Sequence, residues 1–264
     1  MSSADEPAVR SGLAITGVEL RFGGVTALDG LTLNAGAGEI LGVIGPNGAG
    51  KTSLFNVVTG VFQPNAGSVR LDGRDLTGLR PHVITAAGIA RTFQNIRLFE
   101  DQTALDNVLL AADCRRSDGT ISALLGLPSN RSAERAARTR AHEVLSFVGL
   151  AARADDLARN LSYGGQRRLE IARALATGPR LLLLDEPAAG SNPTERVELA
   201  TLIRRICSEG CGVLLIEHDM SMVMDLCDRV AVLEFGRKIA EGLPRAVQSD
   251  PRVIRAYLGD ADAA

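Results

Sequence analysis

Eight residues constrain this chain more than any others. Gly45-Pro46-Asn47-Gly48-Ala49-Gly50-Lys51-Thr52 satisfies every fixed position of the P-loop pattern G-x-x-x-x-G-K-[ST]. The preceding run, residues 40–44, is apolar enough for a buried parallel strand, and residues 53–58 can continue as a helix with one apolar face. In that setting the glycines let backbone N–H groups converge on phosphate oxygens, and the helix that follows aims its positive end at them. Residues 45–52, with Ser53 behind them, are therefore expected to hold a nucleoside triphosphate. Lys51 would reach the β- and γ-phosphates and the Thr52 hydroxyl would ligate Mg²⁺.

Composition sharpens the role of Lys51. The chain has 29 Lys+Arg, but only Lys51 and Lys238 are lysine. A compact ammonium fits a closed phosphate cradle where a planar guanidinium would crowd it. Lys238, beside Phe235-Gly236-Arg237, reads as a surface residue near a strand turn. With 264 residues, 45% of them hydrophobic, the chain can bury a substantial core, and its net charge of −2 gives no reason to expect a nucleic-acid surface.

No apolar run approaches the roughly 20 residues that span a bilayer, and residues 1–12 lack the charged start and apolar stretch of a signal peptide. A cytosolic or peripheral membrane location is expected. Cys114, Cys207, Cys211 and Cys227 suit neither a disulfide framework nor a zinc site, and His82 and His142 read as surface or structural residues.

Residues 13–33, with turns at Gly23-Gly24 and Asp29-Gly30, suggest an antiparallel β segment, and further turns follow at Pro64-Asn65-Ala66-Gly67 and Asp72-Gly73. Residues 103–112 and 132–147 have helical spacing. Parallel character returns in Leu181-Leu182-Leu183-Leu184, which ends in Asp185-Glu186, and in residues 212–216, which end in Glu217-His218-Asp219, with residues 193–209 as a crossover helix. The fold class is thus α/β: a mostly parallel core sheet, an antiparallel β subdomain and a helical insertion. Both parallel strands deliver polar groups from their carboxyl ends, where ligands collect in open sheets.

Five separated elements then fall in the order found in the ATP-binding cassette (ABC) ATPases, a family that the chain resembles from about residue 13 to residue 259. They are the P-loop, Gln94 in Arg91-Thr92-Phe93-Gln94, Leu161-Ser162-Tyr163-Gly164-Gly165-Gln166, Leu181 through Glu186, and His218. The resemblance implies one cassette. Its α/β core would cover residues 13–94 and 176–259, its helical subdomain residues 95–175, and flexible ends residues 1–12 and 260–264.

It also implies ATP and Mg²⁺ as ligands and ATP hydrolysis as the activity. Asp185 matches the aspartate that holds Mg²⁺ mainly through water, Glu186 the general base, His218 the γ-phosphate contact, and Gln94 the sensor of metal and water. Phe22 matches an aromatic that stacks on adenine; it could instead be a core side chain of the β segment, but the glycines beside it leave room for a ligand.

Two departures stand out. The family signature is Leu-Ser-Gly-Gly-Gln, and reading back without gaps from Ile171-Ala172-Arg173 puts Ser162 at the serine, Tyr163 at the first glycine and Gly164 at the second. After Glu186-Pro187 the usual Leu-Asp is replaced, so that Asn192 precedes Pro193; this pair also makes a good helix start.

The family arrangement implies a second cassette, identical or homologous, whose ATP would receive Ser162 and Gly164. Finer likeness points to the ATPase subunits of branched-chain amino acid importers. It lies in residues 91–99, 169–173, 185–190 and 216–220 and in the terminal Val253-Ile254-Arg255-Ala256-Tyr257-Leu258-Gly259. That implies transmembrane permeases, an extracytoplasmic solute-binding protein as an indirect partner, and a place at the cytoplasmic face of the inner membrane. Ile96, Leu98 and Phe99 after Gln94, and the apolar residues 120–128, are candidate docking surfaces. Urea, amide or lipopolysaccharide transporters are alternatives, as is an ABC ATPase acting on DNA or ribosomes.

Overall fold

Residues Ile40–Ile44, Leu181–Asp185 and Gly212–Ile216 are buried at every position, as strands covered on both faces must be. They form the centre of the computed structural model, which describes residues 11–113 and 128–258. In chain order the strands are β1 (Gly12–Phe22), β2 (Val25–Gly36), β3 (Ile40–Ile44), β4 (Ala66–Leu71), β5 (Arg74–Asp75), β6 (Ile89–Arg91), β7 (Leu181–Asp185), β8 (Gly212–Ile216), β9 (Arg229–Glu234) and β10 (Arg237–Gly242). The helices are α1 (Lys51–Val58), α2 (Pro81–Ala87), α3 (Ala104–Asp113), α4 (Pro128–Phe147), α5 (Tyr163–Ala176), α6 (Pro193–Ser208), α7 (Met220–Leu226), α8 (Pro244–Gln248) and α9 (Pro251–Leu258).

A six-stranded sheet has the order β10-β9-β3-β8-β7-β6, parallel except for the β9–β10 hairpin. Its register places Leu183 beside Leu214 and Leu41 beside the same residue. The four leucines of β7 need no polar alternation, because the period of two sends Leu181 and Leu183 into one core and Leu182 and Leu184 into the other. The first core also takes Leu54, Phe55 and Val58 of α1 and the inner face of the antiparallel sheet; the second takes Leu169 and Ile171 of α5 and Ile203 of α6.

The antiparallel sheet has the order β2-β1-β4-β5 and accounts for the expected β segment. Leu13, Ile15, Val18 and Leu20 of β1 face inward, and the extra residue between Ile15 and Val18 is absorbed by a bulge. The helical insertion is α3 and α4 packed on α5 through Leu105, Val108, Leu145 and Leu169.

Boundaries expected from periodicity agree with the structure to within a few residues. Cys114, residues 1–10 and 259–264 and, apart from the start of α4, the apolar stretch 120–128 lie outside the described residues. Among the described residues no helix is long and apolar enough to cross a membrane.

Candidate functional site

The P-loop leaves β3 and turns into α1 between two walls of backbone. A Cβ on Gly45 would lie 2.1 Å from the Leu233 carbonyl oxygen, and one on Gly50 2.6 Å from that of Ala27; both residues have positive φ, 149° and 101°. Only glycine fits either position. Gly50 is the N-cap of α1 and offers no side-chain acceptor, so the first N–H groups of the helix remain for a ligand. Lys51 is 7% exposed and folds back to donate from Nζ to the carbonyls of Gly45 at 2.7 Å and Pro46 at 3.0 Å. Burial lowers its pKa, against the opposing pull of Glu186 and Asp185. Thr52 is exposed at the start of the same helix.

The sheet brings the remaining residues to this edge. Asp185 ends β7, and its Oδ2 accepts from Arg91 Nη2 at 2.7 Å. Arg91 ends β6 and also donates from Nη1 to Asn56 Oδ1 of α1 at 2.7 Å. Glu186 follows with φ 48°, a left-handed backbone that a glutamate rarely adopts, held by its N–H to the Ile216 carbonyl at 2.9 Å.

The Glu186 carboxylate is gripped from both sides. Oε2 accepts from Gln94 Nε2 at 2.9 Å, and Oε1 lies 2.8 Å from His218 Nε2. Gln94, Glu186 and His218 come from the loops after β6, β7 and β8 and meet at one carboxylate. Asp185 and Lys51 stand beside that cluster.

Buried Glu217 supports this edge from below. Its Oε1 accepts from the Ala188 N–H at 2.8 Å and its Oε2 from the His218 N–H at 3.0 Å, so one carboxylate ties the loop after β7 to the loop after β8. Next to it Asp219 caps α7, accepting from Ser221 and Met222 N–H, and pairs with Arg196 at 2.6 Å. Neither Glu217 nor Arg91 was assigned a role from sequence. The available signals were a carboxylate between a buried strand and His218, and an arginine closing the apolar Ile89-Ala90.

Phe22 is 46% exposed and meets Phe62 edge-on at a centroid distance of 5.0 Å, so it is not a core side chain. Ser162 is the N-cap of α5, its Oγ accepting from Gly165 N–H at 3.2 Å. Gly164 backs onto α6, where an added Cβ would lie 2.9 Å from Glu195 Oε1. Among the described residues Ser162 and Gly164 are not bonded to the P-loop or to the Glu186 cluster. Asn192 makes a complete capping box with Glu195, at 3.0 Å in both directions, with Pro193 in the first turn of α6. That geometry is the helix start its sequence suggests.

Other candidates take ordinary structural places. His82 and His142 are exposed, and Lys238 pairs with Glu241. Burial pushes the thiols of Cys211 and Cys227 up to about 12, which makes them packing residues. Leu98 turns to pack on the core while Phe99 is exposed and stacks with Arg173, so the expected apolar patch at residues 96–99 is divided. The described residues contain no group of three or more His, Cys, Asp or Glu side chains placed to hold a metal ion.

Residues 28–189 match the model of the ABC transporter family, and residues 237–263 match that of the branched-chain amino acid ATP-binding cassette transporters. The chain is 45% identical over 250 residues to the high-affinity branched-chain amino acid transport ATP-binding protein BraF of Pseudomonas aeruginosa, covering 94% of this chain and 98% of its relative. It is equally similar, over the same shares, to LivG of Escherichia coli, described by the same activity.

The fold superposes on the ADP conformation of MJ1267, an ATP-binding cassette of an ABC transporter, with a TM-score of 0.81 and 30% identity, covering 94% of this chain and 99% of that one. A nucleotide-free cassette from an ABC transporter gives 0.82 and 31% over the same shares. The chain belongs to the ABC transporter family, as one of its ATP-hydrolysing cassettes.

Proposed function

We infer that this cassette powers a membrane importer of branched-chain amino acids. The observation that carries the solute class is the C-terminal match at residues 237–263, in a part of the chain that the general family model does not cover. The names of BraF and LivG support the same reading.

In this reading ATP lies with its phosphates on residues 45–53 and its base against Phe22. Lys51 gives up the Gly45 and Pro46 carbonyls for the β- and γ-phosphates. The Thr52 hydroxyl, the Asp185 carboxylate and the Gln94 amide oxygen are hard oxygen donors, the kind that Mg²⁺ accepts together with phosphate and water. Mg²⁺ would supply neutralisation of the charge that develops on the phosphates. Glu186 accepts the proton of the attacking water; Gln94 and His218 already fix the direction of its carboxylate.

The γ-phosphate then receives Ser162 Oγ and the Gly164 N–H from a second cassette, identical or homologous. Each chain contributes half of two sites, and ATP closes the pair.

A groove of about 540 Å³ runs between α2, residues 91–99, α3 and α5. Phe93, Phe99, Val61 and Leu110 give it exposed apolar surface beside Gln94. We assign this groove to the permease, with the cassette peripheral at the cytoplasmic face of the membrane. It takes in Phe99 of the patch at residues 96–99 and leaves out Leu98, which packs half-buried against the core.

The test is transport by the cassette reconstituted in vesicles with its permeases and binding protein. ATP-dependent uptake of labelled leucine, isoleucine or valine is expected, and Phe99→Ser should abolish uptake while leaving ATP binding intact. Uptake of urea or short amides in place of these solutes would overturn the substrate assignment.

A further inference from the structure

The first turn of α5 carries a side chain that the site described above does not use. Tyr163 stands where the family pattern has glycine. Its hydroxyl donates to the Ala189 carbonyl at 2.9 Å and accepts from Arg167 Nη2 at 3.3 Å. Gly190, with φ 76°, rests on the tyrosine ring: a Cβ added there would meet the ring at 3.4 Å. The loop that follows Glu186 is thus in van der Waals and hydrogen-bond contact with the residue next to Ser162.

Arg167 carries the contact further. It is 3% exposed and donates from Nη2 to the Gln94 carbonyl at 2.7 Å and from Nη1 to the Phe93 carbonyl at 2.8 Å. Glu170 holds it in place at 3.1 Å and accepts from the Phe93 N–H with its other oxygen.

These bonds close into a ring. The Gln94 side chain donates to the Glu186 carboxylate; the Gln94 carbonyl accepts from Arg167; Arg167 donates to Tyr163; Tyr163 donates to Ala189; and the Ala189 N–H returns to the Glu186 carbonyl at 3.2 Å. Glycine at position 163 would open this ring at two bonds. Tyr163 is 44% exposed, and its ring lies under the Arg167 guanidinium at 5.8 Å as well as against Gly190.

We propose that Tyr163 is a positioning residue that ties the partner-facing Ser162 and Gly164 to this chain's own Glu186 and Gln94, so that the state of one ATP site is transmitted to the other. The inference rests on the composite site proposed above. A displacement of the Ala189 loop when ATP binds must either break the Tyr163 bond or carry the first turn of α5 with it.

Tyr163→Phe keeps the ring and removes the hydroxyl alone. At concentrations where ATP drives association, kcat is expected to fall roughly two- to tenfold, the range of one neutral hydrogen bond, with the KM for ATP and the Tm unchanged. Hydrogen exchange supplies a second measurement. In the Glu186→Gln protein, ATP should protect residues 161–167 and 187–191 together, and adding Tyr163→Phe should leave the protection at 187–191 alone.

A fall in kcat matched by a fall in Tm would overturn the proposal in favour of a packing role. Unchanged kcat in Tyr163→Phe, with Ser162→Ala slowed, would overturn it while leaving the composite site standing. If Ser162→Ala also leaves turnover and ATP-driven association intact, the composite site fails and the role of Tyr163 fails with it.

Discussion

The Arg91 guanidinium donates to the Asp185 carboxylate at 2.7 Å, and the two side chains are 9% and 6% exposed. The carboxylate proposed for the metal is thus neutralised by a buried cation of its own chain. Removing one member of a buried pair leaves the other unpaired in a low-dielectric site. Arg91→Met is therefore expected to destabilise the protein by about 3–5 kcal/mol in urea denaturation, and MgATP should restore part of that loss. A loss below about 1 kcal/mol would place the pair among surface ion pairs, where its burial says it does not belong.

Glu186→Gln keeps the shape of the side chain and can still bond Gln94 and His218, but it cannot take a proton. Phosphate release should fall roughly 10²- to 10⁴-fold, the usual worth of a general base, while ATP affinity is retained. Single-turnover hydrolysis and equilibrium binding measured on the same variant separate the two quantities. Hydrolysis at the parental rate would remove Glu186 from this role.

Phe22→Ala should weaken ATP binding by roughly 0.5–1.5 kcal/mol, the range for an aromatic stack, and leave kcat at saturating ATP unchanged. Binding of inorganic tripolyphosphate, which has no base, should not respond to the substitution. An equal loss for both ligands would mean that Phe22 acts through the fold.

Asp219 supplies a pH-dependent element. Its bond with the Ser221 side chain, followed by the Met222 N–H, holds its pKa below the ordinary aspartate value of 3.8. A depressed folded-state pKa contributes stability that is fully present above the unfolded value, about 3.9, and is lost as pH falls through the lower folded value. Asp219→Asn should therefore be less stable than the parent at pH 7, and the difference should shrink as pH falls below the ordinary aspartate range, measured by urea denaturation across that range. A stability difference that does not change with pH would refute this.

The parts of the site legible in the sequence are those whose chemistry and spacing are local. Gly45 through Thr52 declare themselves because strand, turn and helix are contiguous, and the leucines of β7 because a strand covered on both faces needs no alternation. Arg91 could not be found this way: its partner Asp185 lies 94 residues away, and an arginine after two apolar residues predicts nothing about what it pairs with. Arg167 and the carbonyl it clamps at Phe93 are 74 residues apart and hidden for the same reason. Residues 96–99 could not be apportioned from sequence, because an irregular segment has no period from which to tell Leu98, half-buried against the core, from the exposed Phe99. Asn192 reads from sequence both as a departure from the usual Leu-Asp and as a helix start, and only its capping box with Glu195, a matter of side-chain geometry, shows the cap.

Glu186 sits in a backbone conformation, φ 48°, that glycine would adopt without strain. Strain of this kind is worth about 1–3 kcal/mol per residue. Glu186→Gly would relieve it, so the backbone at this one position would favour an inactive chain over an active one. A screen for thermostable variants of this cassette that did not also demand turnover should drift toward loss of the residue proposed as its base. Selection for transport has to be renewed at Glu186 against the folding preference of the chain.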